Sequence, residues 1–440
     1  MDGRIARTFG ASYGNRRLRR AGCNLAGGAD RRKRLSYICS EYNRYSVTQP
    51  ERVHSSDVFI AVAVIVSQIL IVRLLMRDWR RRLSPRVFRV ILTALKILWA
   101  VIAVGIVLSF TQDRWLAHWL PPVLRGFLSA SEIIWGMLSV SGVAIYAIFR
   151  GLLRRVPEAH SPGRRRAIQA AAAVAISAPA VLAGYGAFVE RTRYQVQEVD
   201  LPMPGLHPDL EGIRIAQISD LHVSPFLSVR EAGRVVDIAN ELRPQLTLVT
   251  GDLISGFGDP LDATIAELGR LRADAGVLGC LGNHEVYAEC EDYATLQARR
   301  KGIVFLRHET RRLQWGSGVL NVAGVDFQPF RHKDRYLSGA DRMIVPGVSN
   351  MLLSHNPDVF PVAVRQGYDA VVAGHTHGGQ VTVEILKQTL NLARFYTPYV
   401  LGLYRLEGRS CYVTAGIGTI GMPIRVCAPP EITLLRLRRA

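Results

Sequence analysis

Two imidazoles two residues apart stand at the end of a short apolar run. The run is Asp369-Ala370-Val371-Val372-Ala373, and Gly374-His375-Thr376-His377-Gly378-Gly379-Gln380 follows it. In extended or turning backbone, residues i and i+2 can face one way and hold two ligands on one side. The flanking glycines allow a tight bend or close approach of a substrate. One such pair is weak evidence, because a histidine is more often a packed polar group than a ligand. The reading depends on partners elsewhere in the chain.

Four other apolar runs end in the same way. Residues 213–219 lead to Asp220-Leu221-His222, and residues 246–250 to Gly251-Asp252. Residues 277–281 lead to Gly282-Asn283-His284-Glu285, and residues 351–354 to His355-Asn356-Pro357. Read as strands of an α/β domain, five elements place Asp, Asn or His at their carboxyl ends, where such sheets bind ligands. Two carboxylates (Asp220, Asp252), one amide oxygen (Asn283) and four imidazoles (His222, His355, His375, His377) form a donor set without thiolate. It suits Mn, Fe, Zn or Co better than Mg or Ca. There are too many donors for one ion and enough for two, with Asp252 the natural bridge.

Asp220-x-His222, Gly251-Asp252, Gly282-Asn283-His284-Glu285, His355 and Gly374-His375-x-His377 together resemble the calcineurin-like metallophosphoesterase family. The resemblance covers residues 195–440. The Gly378-Gly379-Gln380 extension, Gly416-Ile417-Gly418-Thr419, Pro423-Ile424-Arg425 and Pro430-Glu431-Ile432-Thr433 are similar to its membrane-associated bacterial branch. The resemblance implies two packed β-sheets flanked by helices. It also implies that Asp220, His222, Asp252 and His377 hold one metal, and Asp252, Asn283, His355 and His375 the other. His284 would face the leaving oxygen as the catalytic residue, with Glu285, where the family often has Asp, orienting it. Two ions about 4 Å apart would activate water and hold a phosphate for in-line attack. The expected reaction is hydrolysis of a phosphate mono-, di- or pyrophosphate ester. The alternative is a membrane binding or sensing protein that keeps the fold without turnover.

The rest of the chain is of another kind. It has 440 residues and a net charge of +19, but the charge is uneven. Residues 1–190 carry 28 basic and 10 acidic residues, and the remaining 250 carry 27 and 26. The C-terminal part is therefore nearly neutral, and no nucleic-acid partner is expected. Residues 1–56 are Arg-rich without apolar periodicity and read as a disordered basic tail. Four apolar stretches of 19 to 24 residues follow, at 58–76, 87–110, 127–149 and 167–189. Each is long enough to cross a bilayer, so residues 57–190 read as an all-α transmembrane domain of four helices. The connections at 77–86 and 150–166 are rich in arginine, whereas residues 111–126 contain only Arg114 and Arg125. Positive-inside then expects a bacterial inner or plasma membrane protein with its C-terminal domain on the non-cytoplasmic face. An amphiphilic substrate is attractive on proximity alone.

Other polar residues take plainer readings. Asp326 reads as a turn residue, His308 and His332 as solvated, and Arg425 as a surface side chain. Gln380 and Tyr287 could shape the pocket or simply pack. Six cysteines show no metal-binding spacing and assign no redox compartment.

Overall fold

The computed structural model describes residues 55–74, 76–77, 80, 83–110, 121–155, 162–385 and 388–440. Nearly all of the expected basic tail, with Cys23 and Cys39, lies outside the described residues, as does the connection at 111–120.

Four helices open the described chain: α1 (Ser55–Leu74), α2 (Pro85–Phe110), α3 (Pro122–Arg154) and α4 (Pro162–Phe188). Three stretches, Pro85–Val104, Gly126–Arg154 and Pro162–Thr192, are long and apolar enough to cross a membrane. The first expected span is not among these three: its helix is Ser55–Leu74, and the apolar helix counted there is Val62–Leu74. Apolar side chains on these helices point outward, with Val90 68%, Phe127 65% and Val174 70% exposed. Such surface is costly in water and at no disadvantage in hydrocarbon. Inside the bundle, Gln68 Oε1 accepts from Trp99 Nε1 at 2.9 Å and Trp135 Nε1 at 3.0 Å. Its amide nitrogen donates to Ser139 Oγ at 3.0 Å. One glutamine thus ties α1 to α2 and α3 through polar bonds in an apolar setting.

The C-terminal half is a sandwich of two mixed six-stranded sheets. The first runs β1 (Gln195–Met203), β14 (Glu431–Arg439), β2 (Arg214–Ile218), β3 (Leu246–Thr250), β4 (Val277–Cys280), β5 (Ile303–Phe305). The second runs β12 (Gly402–Leu406), β13 (Arg409–Val413), β9 (Ala370–Ala373), β8 (Ser349–Leu353), β7 (Gly318–Gly324), β6 (Glu309–Trp315). A separate hairpin joins β10 (Thr382–Ile385) to β11 (Gln388–Asn391). Strands β2 to β5 are mutually parallel, as are β7, β8, β9 and β13. Strands buried on both faces read as continuous apolar runs, which is why β9 is Ala-Val-Val-Ala and fully buried. Ile215, Leu248, Val322, Met351, Val372 and Tyr412 meet between the sheets. The outer face of the first sheet is covered by α5 (Val229–Glu241), α6 (Leu261–Leu268) and α8 (Glu291–Arg300). That of the second is covered by α9 (Phe360–Gln366) and the turn at Ala340–Met343. Glu431 ties the sheets together, accepting from Tyr412 Oη on β13 at 2.6 Å.

Helix α4 does not end in a free linker. Gly186 receives a hydrogen bond from Arg425 N at 3.3 Å, and a Cβ there would overlap the Arg425 carbonyl. Glu190 Oε1 accepts from Ala428 N at 3.1 Å, and Arg191 donates to the Phe226 carbonyl. At the start of α3, a Cβ on Gly126 would lie 3.3 Å from the Phe226 ring. The loops around 226 and 421–428 therefore rest on the first turns of α3 and the last of α4. Gly186→Val is expected to destabilise the full chain by about 1–3 kcal/mol through overpacking. Thermal unfolding in detergent micelles reads it, and an unchanged midpoint would contradict the close approach.

Candidate metal centre

Strands β2, β3, β4, β8 and β9 all end at one edge of the sandwich, and the chain turns sharply there. Asp220, His222, Asp252, His375 and His377 have φ of 53°, 47°, 55°, 75° and 53°. That left-handed backbone costs about 1–3 kcal/mol per non-glycine residue and is best tolerated by Asn, Asp and His. It swings these side chains off the strand axes toward a common point. Two glycines make the approach possible. A Cβ on Gly374 would overlap Ser219 Oγ and Asp220 Oδ2, and one on Gly282 would overlap Asp252 Oδ1.

The donors gather in two overlapping groups. Donor atoms of Asp220, His222, Asp252 and His377 lie within 4.8 Å of one another, and so do those of Asp252, His355 and His375. Asp252 belongs to both. Asn283 opens the short helix α7 (Asn283–Tyr287) directly after Gly282, and its Oδ1 is buried without a hydrogen-bond partner. His222 Nε2 stands 3.1 Å from His377 Nε2 and 3.4 Å from Asp252 Oδ2. His377 Nε2 is 3.4 Å from Asp220 Oδ1. His355 Nδ1 donates to the Thr250 carbonyl at 2.7 Å, which turns Nε2 toward Asp252 Oδ2 at 3.0 Å. Ring lone pairs and carboxylate oxygens crowd together, an arrangement that needs positive charge between them. The orphaned Asn283 oxygen and this N/O donor set fit borderline divalent ions.

The electrostatics agree. Burial lowers His375 to about 3 and His377 well below its ordinary value, so both stay neutral, which is the ligating form. His375 keeps part of its edge open to the adjoining cleft, yet protein crowds it enough for that shift. For His355 burial acts downward too, but the Asp252 and Asp220 charges outweigh it and raise it to about 10. Without cations, a proton on His355 faces Asp252. Asp252 itself is held well below the carboxylate range: burial opposes this, and His355 and His222 prevail. Burial raises Asp220.

His284 lies at the same edge. Its backbone N–H donates to Asp252 Oδ1 at 2.9 Å and its Nδ1 to the Ser255 carbonyl at 2.5 Å, leaving Nε2 as the other ring nitrogen. Burial lowers its pKa to about 4. Glu285 does not orient it. Its carboxylate curls back over the start of α7, accepting from Gly282 N at 2.8 Å, Asp252 N at 3.0 Å and Leu253 N at 2.7 Å. Three steps into a helix, a glutamate reaches the N-terminal amides before it reaches a neighbouring ring. The orienting acceptor is the Ser255 carbonyl.

Arg425 is not at the surface. It is fully buried, and its guanidinium donates to the carbonyls of Ala415, Gly416, Gly418, Ala428 and, at 3.4 Å, His377. Gly418 N in turn donates to the Asp220 carbonyl at 2.6 Å. Gln380 is spent on packing, with its amide bonded to the backbone of Ile420 and Met422. Tyr287 is exposed but sets its ring against His284, with centroids 5.4 Å apart. Asp326 pairs with Arg307 at 2.7 Å, and His308 and His332 are exposed. Sequence reasoning missed Phe327 and Phe330, whose rings lie 5.6 and 5.1 Å from His375. The signal was available: β7 ends at the same edge, and these residues follow it.

Residues 213–379 match the family model of the calcineurin-like phosphoesterases. A zebrafish (Danio rerio) transmembrane protein with metallophosphoesterase domain is 30% identical over 279 residues, 61% of this chain and 62% of that protein. An uncharacterised metallophosphoesterase of Campylobacter jejuni is 28% identical over 56% of this chain and 63% of its own length. One of Bacillus subtilis is 26% identical over 58% of this chain and 89% of its own. The chain thus spans a little under two thirds of the first two relatives.

The shifted histidines set a pH profile for the metal-stripped protein. His284 is depressed from 6.5 to about 4, so the unfolded chain binds the proton first as pH falls, and stability is lost from about pH 6.5 to 4. His355 is raised to about 10, so its contribution is present below about 6.5 and lost as pH rises to 10. The thermal midpoint of chelator-treated protein is expected to peak near pH 6.5 and fall on both sides. A monotonic profile would contradict this assignment.

Proposed function

We propose that this chain, whose residues 213–379 form a calcineurin-like phosphoesterase domain, is a membrane-anchored, dinuclear metal-dependent hydrolase of phosphate esters. The observation that carries the reading is the convergence of buried donors in two groups sharing Asp252. Asp220, His222, Asp252 and His377 would hold one ion. Asp252, Asn283, His355 and His375 would hold the other. When bound, such ions supply Lewis acidity toward the phosphate oxygens and a reactive water.

The protein's own groups have separable tasks. The left-handed turns and the Arg425 carbonyl cage keep the donors in place before substrate arrives. His284, fixed through Nδ1 by the Ser255 carbonyl, presents Nε2 to a leaving oxygen. Its imidazole is neutral at pH 7 in the empty protein. An arriving phosphate anion favours its protonated form, so the proton would be gained with substrate and passed to the departing alcohol. The test is hydrolysis of p-nitrophenyl phosphate and bis-p-nitrophenyl phosphate with added manganese. Asp252→Ala is expected to lose at least about a thousandfold in kcat, since both donor groups lose a member. Full activity in that variant would refute the assignment.

We further infer that the head lies on the non-cytoplasmic face. It touches the first turns of α3 and the last turns of α4, Gly126 and Gly186 marking the contacts. Chain connectivity then puts the start of α2, the end of α3 and the start of α4, which flank the Arg-rich stretches of sequence, at the opposite helix ends. Arginine-rich connections favour the cytoplasm. An alkaline phosphatase fused after Ala440 is expected to be active and a green fluorescent protein there dark. The reverse pattern would invert the topology.

A further inference from the structure

A cleft of about 320 Å³ opens beside His375 and His377, and Phe330, Ala393, Tyr396 and Ile420 form much of its wall. Besides the two histidines and the Tyr396 hydroxyl, the polar side chains in that wall are already engaged. Thr376 Oγ1 donates to the Val400 carbonyl and Thr397 Oγ1 to Asp358. Gln380 is bonded to the backbone of Ile420 and Met422 on both sides of its amide. A nucleobase or sugar bound here would find few partners and leave most of its polar groups unpaired, at a cost of about 1–3 kcal/mol each. A hydrocarbon chain would not.

The rim continues the apolar character. Phe395 is 84% exposed, Tyr396 69% and Ile420 39%. Gly421, the next residue, abuts α3: a Cβ on it would lie 3.3 Å from Ile133 Cδ1. Ile133 belongs to the stretch Gly126–Arg154, which is long and apolar enough to cross a membrane. The cleft therefore reaches from the two histidines to Ile420, next to the residue that packs on an apolar helix, and beside it stand exposed aromatic residues of the kind that favour a bilayer interface.

We propose that the substrate is a phosphate ester carrying an alkyl or acyl chain. Its phosphate sits at His375 and His377, its first methylenes lie between Phe330, Ala393, Tyr396 and Ile420, and the remainder passes the Phe395–Tyr396 rim into the bilayer. This rests on the phosphoesterase reading and adds the class of substrate. Each buried methylene adds at most about fourfold in affinity.

The experiment uses the manganese-loaded full chain in lipid nanodiscs, with methyl-, butyl- and octylphosphonate as probes. Their carbon–phosphorus bond resists hydrolysis, so binding is read apart from turnover. Calorimetry, corrected with empty nanodiscs, is expected to show octylphosphonate binding at least tenfold tighter than methylphosphonate. The ratio is expected to fall toward one in Ala393→Trp, which fills the cleft, and in Tyr396→Ser. Tyr396 is exposed, so the second variant stays informative if the first fails to fold. Equal affinities in the unaltered protein, or an unchanged ratio in a folded variant, would overturn the proposal. Hydrolysis of p-nitrophenyl phosphate by the same preparation separates the two ideas. Turnover with equal phosphonate affinities sinks the chain site alone. A preserved ratio without turnover sinks the phosphoesterase reading alone.

Discussion

The structure turns on one electrostatic problem: seven donor groups must be brought together, most of them buried, with their lone pairs facing one another. His222 and His377 stand nitrogen to nitrogen at 3.1 Å, and the Asp252 carboxylate is 3.4 and 3.0 Å from two rings. Apart from the protonated His355 facing Asp252, such a cluster is unfavourable by itself. Five of the seven donors also sit in left-handed backbone, about 5–15 kcal/mol of strain in all. That equals the whole net stability of an ordinary domain. The sandwich core offsets part of it. On the proposed reading, bound cations offset the rest, so metal binding and folding of this edge are one equilibrium.

The loops that carry the donors are held by buried charge rather than by apolar contact. Glu285 binds three amides around Gly282 and Asp252. Arg425 binds carbonyls of the segment 415–418 and of His377. Gly186 of the last apolar helix lies directly on Arg425. Two contacts therefore separate an apolar helix, long enough to cross a membrane, from His377 of the candidate metal site. The head and the helices differ sharply in composition, yet they share this joint.

Much of the site was legible in the sequence, for a physical reason. Parallel strands buried on both faces are written as plain apolar runs, and the first polar residues after them must lie at the sheet edge. That rule alone gathers Asp220, Asp252, Asn283, His355 and His375. What it could not supply was the partner of each side chain. Arg425 looks like any surface arginine until five carbonyls surround it. Glu285 looks like a partner for His284 until α7 shows its side chain folded back onto Gly282. The cleft was out of reach because Phe330, Tyr396 and Ile420 come from three separate segments.

The central claim is that Asp252 joins two ions in one site. Electron paramagnetic resonance of the manganese-loaded chain tests it most directly, because a shared bridging ligand couples two Mn(II) centres magnetically. The account predicts an exchange-coupled multiline signal, with two manganese ions per chain. The isolated six-line signal of a lone ion at full loading would contradict it.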